Sequence, residues 1–312
     1  PTYEMAEAER NFRSYYYDKV GFRGVDEKKS IEILLKETPL DLRKLGQFCL
    51  RFPLPVVYRN LVWKVLLGVL PKQTDVHTFA QDQLQERYNE LHHALKLMRK
   101  ITKDTELATM FLKMHHVNEG TLLFDDDKML DAEENKAFLS IAGAMLEIAE
   151  NETEAFWMTT HFHKLQKNYV TSLPGMIERT EYYLKREDKD GKLYEHLSKH
   201  RVLSSLPMSL WYKSSFAGVL PETSFERIWD KVIGGSCKIL VFLMVSTLLT
   251  LKRPLLSMNS SQEIVQYLNK ISSDSADIIV SKSLDLWQKY GSLLLPSSKG
   301  NSPVVIQERP PS

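Results

Sequence analysis

Apolar residues recur along most of this chain at the three- and four-residue spacing of amphipathic helices. One stripe runs from Asn89 to Ile101, and a second begins at Phe138. Their members are Leu91, Ala94, Leu95, Met98 and Ile101 in the first, and Phe138, Ile141, Ala142, Met145, Ile148 and Ala149 in the second. Because this spacing places side chains on one face of a helix, each stripe predicts a helix with one buried side.

Signals for β-structure are lacking. The sole Asp-Gly or Asn-Gly dipeptide is Asp190-Gly191, which lies in a charged run between two helical patterns. The most apolar run, Ile239 to Leu251, is shorter than the roughly 20 residues that a membrane helix needs, so it predicts a buried core helix. No repeat of fixed period argues for a solenoid. The pattern therefore predicts an all-α fold in a single multi-helix domain.

Composition narrows the class of protein. The 312 residues are 43% hydrophobic and 26% charged, with 41 Lys and Arg against 40 Asp and Glu. This balance gives no reason to expect nucleic acid, and the absence of a dominant basic run predicts no membrane-surface patch. Two distant cysteines, Cys49 and Cys237, fit a reducing compartment, so we expect a cytoplasmic protein.

The ends of the chain differ from its middle. Residues 1–21 form a polar N-terminal segment without the apolar core of a signal peptide, and the lack of an initiator Met suggests a fragment or a trimmed chain. We place the helical domain at residues 22–293, with its most specific sequences in residues 51–250. From Pro296 onward Ser, Pro, Gly and charged residues follow without periodicity, so residues 294–312 are expected to be a disordered tail.

Three short sequences carry a family resemblance. They are Arg59-x-x-x-Trp63 followed by Leu67-Gly68, then Phe156-Trp157, and finally Ile228-Trp229-Asp230. Together they resemble the TBC domain, the helical fold of GTPase-activating proteins for Rab GTPases. The tryptophans bury large areas and the adjoining Arg and Asp can supply polar partners, so we interpret these residues as a fold signature. Its members are Arg59, Trp63, Gly68, Phe156, Trp157, Trp229 and Asp230.

The resemblance also implies two catalytic groups, an Arg in Ile-x-x-Asp-x-x-Arg and a Gln in Tyr-x-Gln. The first should fall within Phe111 to Gly120, and alignment backwards from Phe156-Trp157 puts Glu134-Asn135-Lys136 at the second. No Arg occurs from Ile101 to Glu178, and no Gln occurs from Glu86 to Leu165. An Arg finger neutralises charge on the transferred phosphoryl group and an amide orients the attacking water. We therefore expect no catalytic residues.

Two alternatives remain open at this point. The chain can be a genuine Rab activator with an unconventional basic finger, for which Lys113, Lys128 and Lys136 are the nearest candidates, or a Rab-binding scaffold without activation. Lysine lacks the planar fork of Arg and would be a poor replacement. No motif assigns a metal or cofactor site; His196 and His200 have a suitable spacing for a metal, but no third ligand is evident.

A predicted helix from Asp104 to Val117 carries the partner hypothesis. Its apolar residues Leu107, Met110, Phe111 and Met114 stand at positions i, i+3, i+4 and i+7. They fit either core packing or a Met-rich groove that receives a partner helix.

Further runs, such as Arg51-Phe-Pro-Leu-Pro and Phe216-Ala-Gly-Val-Leu-Pro-Glu, resemble one branch of the family. That closer resemblance implies a subunit of the tuberous sclerosis complex, whose partners are the C-terminal coiled coil of hamartin and, through it, tuberin. It further implies a role in Rheb GTP hydrolysis and mTOR signalling, possible contact with a Rab or Rheb GTPase, and recruitment from the cytosol to lysosomal or other vesicle membranes.

Overall fold

Helices account for the regular structure of this chain. The computed structural model describes residues 23–122 and 126–291, and in these ranges it contains no strand, only an isolated bridge between Ala217 and Leu220. The predicted N-terminal segment (residues 1–21) and C-terminal tail (residues 294–312) lie outside the described residues. The all-α prediction is confirmed.

We number the described helices in chain order. They are α1 (Arg23–Leu35), α2 (Leu42–Arg51), α3 (Val56–Leu67), α4 (His77–Leu97), α5 (Leu107–Asn118), α6 (Asp126–Asp131), α7 (Glu133–Ile148), α8 (Glu152–Lys167), α9 (Leu173–Glu187), α10 (Lys192–Lys199), α11 (Val202–Ser205), α12 (Met208–Lys213), α13 (Glu222–Ile233), α14 (Lys238–Thr250), α15 (Lys252–Ser257), α16 (Ser261–Leu268) and α17 (Ser273–Tyr290).

Local sequence explains several helix ends. The Asp41 carboxylate accepts hydrogen bonds from the backbone N–H groups of Arg43 and Lys44, both at 3.0 Å, and so caps α2. At the C-terminal end of α3, Gly68 takes a left-handed conformation with φ of 77°, which a residue with a Cβ adopts only at a cost in free energy. This conformation explains why a glycine directly follows Leu67, the last residue of α3.

Helix α14 forms the centre of the core. Its residues from Ile239 to Met244 are fully buried, which confirms the prediction of a core helix for this apolar run. It packs against α9 and α17, whereas the neighbouring α13 packs against α2, α3 and α17. Helix α13 therefore connects the first helices of the domain to the last.

None of the helices in residues 23–122 and 126–291 combines the length and the apolar character that a membrane crossing requires.

The first apolar stripe ends earlier than its pattern predicts. Helix α4 stops at Leu97, and Arg99 adopts φ of 55°, outside the helical region. Met98 is consequently exposed, while Ile101 reaches the core from the following loop. In the second stripe Phe138, Ile141, Ala142 and Met145 are buried as predicted, whereas Ile148 and Ala149, at the end of α7, are half-buried.

Candidate functional site

Four of the signature residues meet where α3 crosses α13. The Arg59 guanidinium donates to the Asp230 carboxylate through Nε at 3.2 Å and through Nη2 at 3.4 Å. It also donates to Glu226 through Nη1 and to the Leu54 carbonyl through Nη2 at 3.0 Å. Trp63 adds its indole N–H to Asp230 at 2.9 Å. Every nitrogen of this buried guanidinium therefore has a partner, as a buried charge requires.

Burial and pairing act in opposite directions on Asp230. Burial raises the pKa of its carboxyl group, and the positive charge of Arg59 together with its hydrogen bond and that of Trp63 opposes the rise. The cluster thus depends on Arg59 remaining in contact with Asp230.

Aromatic rings surround this ionic cluster. The Trp229 ring lies 6.0 Å from Trp63, stacks on Phe162 at 4.4 Å and contacts Phe225 at 4.5 Å, each measured between centroids. Its indole N–H donates to the Ser215 carbonyl at 3.0 Å. These contacts place Trp229 in the core, consistent with a structural role.

The remaining signature residues form a neighbouring cluster on α8. Phe156 is fully buried and its ring lies 5.5 Å from Phe111 and 5.8 Å from Tyr88. Trp157 donates its indole N–H to the Leu84 carbonyl at 3.0 Å and so joins α8 to α4. Gly68, described above, ends α3 and is separate from both clusters.

The segments that should hold the catalytic groups lie at the end of α5 and the start of α7. Here Asn135 donates to the Met129 carbonyl at 2.6 Å, and its side-chain oxygen lies 3.2 Å from His116 Nε2. The other ring nitrogen of His116 lies 2.8 Å from the Thr121 hydroxyl. Asn135, the middle residue of the sequence aligned with Tyr-x-Gln, therefore makes its contacts within the domain.

The adjoining carboxylates are also engaged. Glu133 and Glu134 approach the Lys213 ammonium at 2.8 Å and 3.0 Å, and Ser209 donates to Glu133 at 2.7 Å. The hydrogen bonds from Lys213 and Ser209 lower the pKa of Glu133. These pairs fix the start of α7 against α12.

The basic candidates for an unconventional finger differ in exposure. Lys113 is buried and its ammonium donates to the Lys100 carbonyl at 2.8 Å. Lys136 is exposed and lies 3.4 Å from the Asp131 carboxylate. The side chain of Lys128 lies outside the described residues. Of the two that are described, Lys136 alone is exposed to a partner.

Two histidines are buried beside these segments, and His163 Nε2 lies 3.7 Å from the Glu134 carboxylate. His115 packs on the Phe138 ring at 4.9 Å, and His163 meets both rings edge-on at 5.7 Å and 5.3 Å. Both ring nitrogens of His163 and Nδ1 of His115 are buried without a well-formed hydrogen bond in the part of the chain that the structure describes. Burial lowers the pKa of His115 to about 4 and that of His163 to about 3, and the Lys167 charge adds to both shifts.

The structure restricts the partner prediction on α5. Of the four residues named there, Met110, Phe111 and Met114 are buried, because α4 and α7 already cover that face. Leu107 alone is exposed, at 37%. The spacing identifies one face of the helix correctly, but that face belongs to the core. A partner that binds α5 in this fold meets Leu107 and not the other three.

Exposed aliphatic residues occur instead where α1 approaches the start of α3. Val56 and Val57 are 75% and 77% exposed, and Ile33 on α1 is exposed as well. The Tyr58 hydroxyl donates to Glu32 at 2.7 Å, which brings the residues next to Val57 and Ile33 together. We call Ile33, Val56 and Val57 the α1–α3 surface. Sequence reasoning missed it; two β-branched residues in a first helical turn behind Pro55 are the available signal.

The His196–His200 pair and the acidic turn at Asp188 and Asp190 make contacts within the domain. His196 Nε2 lies 2.8 Å from the Met258 carbonyl, and the His200 ring is 4.7 Å from the His196 ring. The turn at Asp188 and Asp190 is closed by the Lys252 ammonium, which lies 2.6 Å from Asp188. Within the described ranges, no group of three His, Cys, Asp or Glu side chains is arranged to hold a metal ion.

Comparison with solved structures agrees with this helical fold. The Ypt/Rab-GAP domain of Gyp1p superposes with a TM-score of 0.55 at 15% identity, covering 86% of this chain and 99% of that one. A Chlamydomonas flagellar RabGAP TBC domain superposes with a TM-score of 0.50, also at 15% identity, over 91% of this chain and 96% of that one. These likenesses concern the fold.

Sequence comparison is more specific. Residues 136–256 match the Rab-GTPase-TBC domain family. TBC1 domain family member 7 of Bos taurus and that of Homo sapiens are each 46% identical over 285 residues, which are 91% of this chain and 96% of the relative. The Danio rerio protein of the same name is 43% identical over 90% of this chain and 96% of its own length. This chain therefore belongs to the TBC domain family, with TBC1 domain family member 7 among its similar relatives.

Proposed function

We propose that this chain is a non-catalytic subunit of the tuberous sclerosis complex. In this role it binds the C-terminal coiled coil of hamartin and stabilises the hamartin–tuberin complex, in which tuberin activates GTP hydrolysis by Rheb and so restrains mTOR signalling. The observation that carries the proposal is the similarity to TBC1 domain family member 7 over nearly the whole chain. The protein is then cytosolic and reaches lysosomal or other vesicle membranes through the complex.

The residues at the expected finger positions support a non-catalytic role. An arginine finger contributes about 10³–10⁵ in rate, on the order of 4–7 kcal/mol of transition-state stabilisation. The stretch from Ile101 to Glu178 contains no Arg, and the stretch from Glu86 to Leu165 contains no Gln. Lys113 is buried and bound to a carbonyl, so it offers no free charge to a nucleotide.

The α1–α3 surface is the better candidate for the coiled-coil contact. Helical partners dock through apolar side chains, and exposed apolar side chains that lie next to one another favour such a contact. Val56 and Val57 are consecutive exposed residues, and Ile33 is exposed next in sequence to Glu32, which binds Tyr58. On α5, Leu107 alone is exposed among the four predicted residues. Two exposed lysines, Lys28 and Lys29, lie on α1 and suit a partner with acidic flanking positions.

Calorimetric titration of the full chain with a hamartin coiled-coil peptide tests this assignment. Val57→Asp removes an exposed apolar contact and adds a charge, so we expect affinity to fall at least about tenfold. Leu107→Asp is the matched variant on α5 and should leave affinity unchanged. Both residues are exposed, so both variants should fold. Failure of the wild-type chain to bind the peptide would refute the subunit role, while loss of binding in the Leu107 variant alone would return the contact to α5.

A second candidate, activation of a Rab GTPase, is favoured by the fold shared with the Ypt/Rab-GAP domain of Gyp1p. Its most accessible basic residue among those described is Lys136. Single-turnover GTP hydrolysis with a panel of Rab proteins separates the two functions. We expect no acceleration over the intrinsic rate. An acceleration that Lys136→Ala abolishes would establish the second function in place of the first.

A further inference from the structure

The loop between α4 and α5 exposes apolar side chains at a helix end. Leu97 is 71% exposed and Met98 is 47% exposed, and both stand at the last turn of α4. Leu107, the first residue of α5, is exposed at the other end of the loop. Isolated exposed apolar residues are ordinary, but adjacent ones at a helix end form a patch that a binding partner can shield from water.

Cations flank these apolar residues. Residues 96–106 carry four, Lys96, Arg99, Lys100 and Lys103, against two carboxylates, Asp104 and Glu106. Lys96, Arg99 and Lys103 are exposed, and none of them forms an ion pair with another residue in the part of the chain that the structure describes. Lys100 is partly buried and has partners of its own. Three charges on this turn are therefore available to an external anion.

The backbone holds the turn in one conformation. Arg99 stands just beyond the α4 terminus with φ of 55°, a position that usually carries glycine. The Lys100 N–H donates to the Leu95 carbonyl at 2.9 Å, and the Lys100 carbonyl in turn accepts from Lys113 at 2.8 Å. Within the loop, the Thr102 N–H donates to the Thr105 hydroxyl at 2.8 Å. Since the turn is ordered by internal bonds, binding there would lose little conformational entropy.

We propose that Lys96–Lys103, which we call the basic loop, docks directly on the surface of an anionic phospholipid membrane. Leu97 and Met98 enter the headgroup region, while Lys96, Arg99 and Lys103 face the lipid phosphates and carboxylates. A membrane fits better than an acidic protein because exposed apolar residues at a helix end stand among exposed cations, the combination that a headgroup region accommodates. This contact is separate from the proposed binding of hamartin. Sequence inspection missed it because apolar residues interrupt the basic ones.

Vesicle co-sedimentation of the full chain tests the proposal. The protein is expected to bind vesicles of phosphatidylcholine with phosphatidylserine, and to bind vesicles of phosphatidylcholine alone far more weakly. Replacing Lys96, Arg99 and Lys103 together by Gln should weaken the partition about a hundredfold, at about fivefold for each cation, and added salt should weaken the wild type similarly. Replacing Leu97 and Met98 by Ser should weaken it at least about tenfold.

A matched variant guards against a general charge effect. Lys189, Lys270 and Lys282 are exposed and, like the three loop cations, have no ion pair among the described residues, so their joint replacement by Gln removes the same charge elsewhere. This variant should bind as the wild type does. Equal loss in both triple variants, or unchanged binding in the Leu97 and Met98 variant, would overturn the proposal. Binding to soluble polyglutamate without binding to vesicles would overturn it too, in favour of an acidic protein.

Discussion

Two polar clusters lie in the interior of this domain, and they differ in how their polar groups are satisfied. Where α3 crosses α13, the Arg59 guanidinium uses every nitrogen on an oxygen acceptor. Where α5, α7 and α8 meet, His115 and His163 are buried against Phe138 with three ring nitrogens lacking a well-formed hydrogen bond. The first cluster belongs to the family signature, and the second lies behind the segments where the family's catalytic groups are expected.

This difference indicates which of the two clusters stabilises the fold. A paired buried charge ties together helices that are distant in sequence, and it tolerates little change because removal of one partner leaves the other unpaired. Neutral histidines buried without well-formed hydrogen bonds make no such demand at neutral pH and contribute mainly by packing. We infer that the fold depends on the polar contacts of the first region. The polar groups of the second region are less important to the stability of the fold. Four measurements can break or sharpen this contrast.

The largest effect is expected from Asp230→Ala. The substitution leaves the buried Arg59 guanidinium with Glu226 and the Leu54 carbonyl, and it deprives the Trp63 indole of its acceptor. Loss of one partner of a buried ion pair typically costs about 3–5 kcal/mol of unfolding free energy. Urea denaturation followed by circular dichroism measures the change.

The matched variant for this measurement is Asp285→Ala. Asp285 is exposed on α17, so its removal should change the unfolding free energy by less than about 0.5 kcal/mol. If the two variants prove equally stable, the signature cluster does not stabilise the fold and the contrast between the two regions fails.

The second effect is a loss of stability in mild acid caused by the two histidines. Their folded pKa values, about 4 for His115 and about 3 for His163, lie below the ordinary value of 6.5. As pH falls below 6.5, the unfolded chain takes up protons that the folded chain refuses, so stability is present above that pH and is lost on acidification. At about pH 5 each histidine should remove about 2 kcal/mol of unfolding free energy.

Comparison of His163→Phe with the wild type isolates this contribution. Phenylalanine keeps a ring against Phe138 but binds no proton, so the variant should lose the contribution of His163, about 2 kcal/mol at pH 5. His116 and His161, whose pKa values burial also lowers, should keep their contributions. His93 on α4 is exposed, and His93→Gln should keep the full pH dependence. A wild-type unfolding free energy that stays constant over this range would show that solvent or a partner group reaches the histidines.

The contrast also shows how far the sequence could predict this molecule. Helical periodicity predicted the fold class, and the apolar run in α14 predicted its central helix. The pairing of Arg59 with Asp230 spans 171 residues, and no local pattern gives the distance between them. On α5 the spacing of Met110, Phe111 and Met114 identified one face, but it could not show that α4 and α7 already cover that face.

Exposed sites are harder still to predict, because exposure depends on what does not pack nearby. Val57 and Met98 are apolar residues in helical patterns, and by periodicity alone they are expected in the core. Their exposure results from the position of helix ends, which is set by Pro55 before α3 and by the backbone of Arg99 after α4. Helix ends are less well determined by sequence than helix interiors.

A third, smaller effect tests the polar contacts beside the histidines. Asn135→Ala removes the bond to the Met129 carbonyl and the contact with His116. Asn135 is buried, but its loss leaves neutral groups unpaired and no buried charge, so the expected loss of unfolding free energy is about 1–2 kcal/mol, below that of Asp230→Ala. Asn89→Ala removes an exposed side-chain contact with Gln85 and should be nearly neutral. A loss as large as that of Asp230→Ala would place this region on the same footing as the signature cluster.

The smallest effect concerns the basic loop, which Lys113 joins to α5 and hence to the second region. Arg99 holds φ of 55°, where a residue with a Cβ is disfavoured by about 1–2 kcal/mol. Glycine removes this strain but gives more freedom to the unfolded chain, so Arg99→Gly should raise the unfolding free energy by about 0.5–1 kcal/mol.

The same change removes one exposed cation and should weaken binding to anionic vesicles about fivefold. Arg99→Gln keeps the strain and loses the charge, so it should weaken vesicle binding equally without stabilising the fold. If glycine stabilises the protein and leaves vesicle binding unchanged, the arginine at this position does not serve the membrane contact.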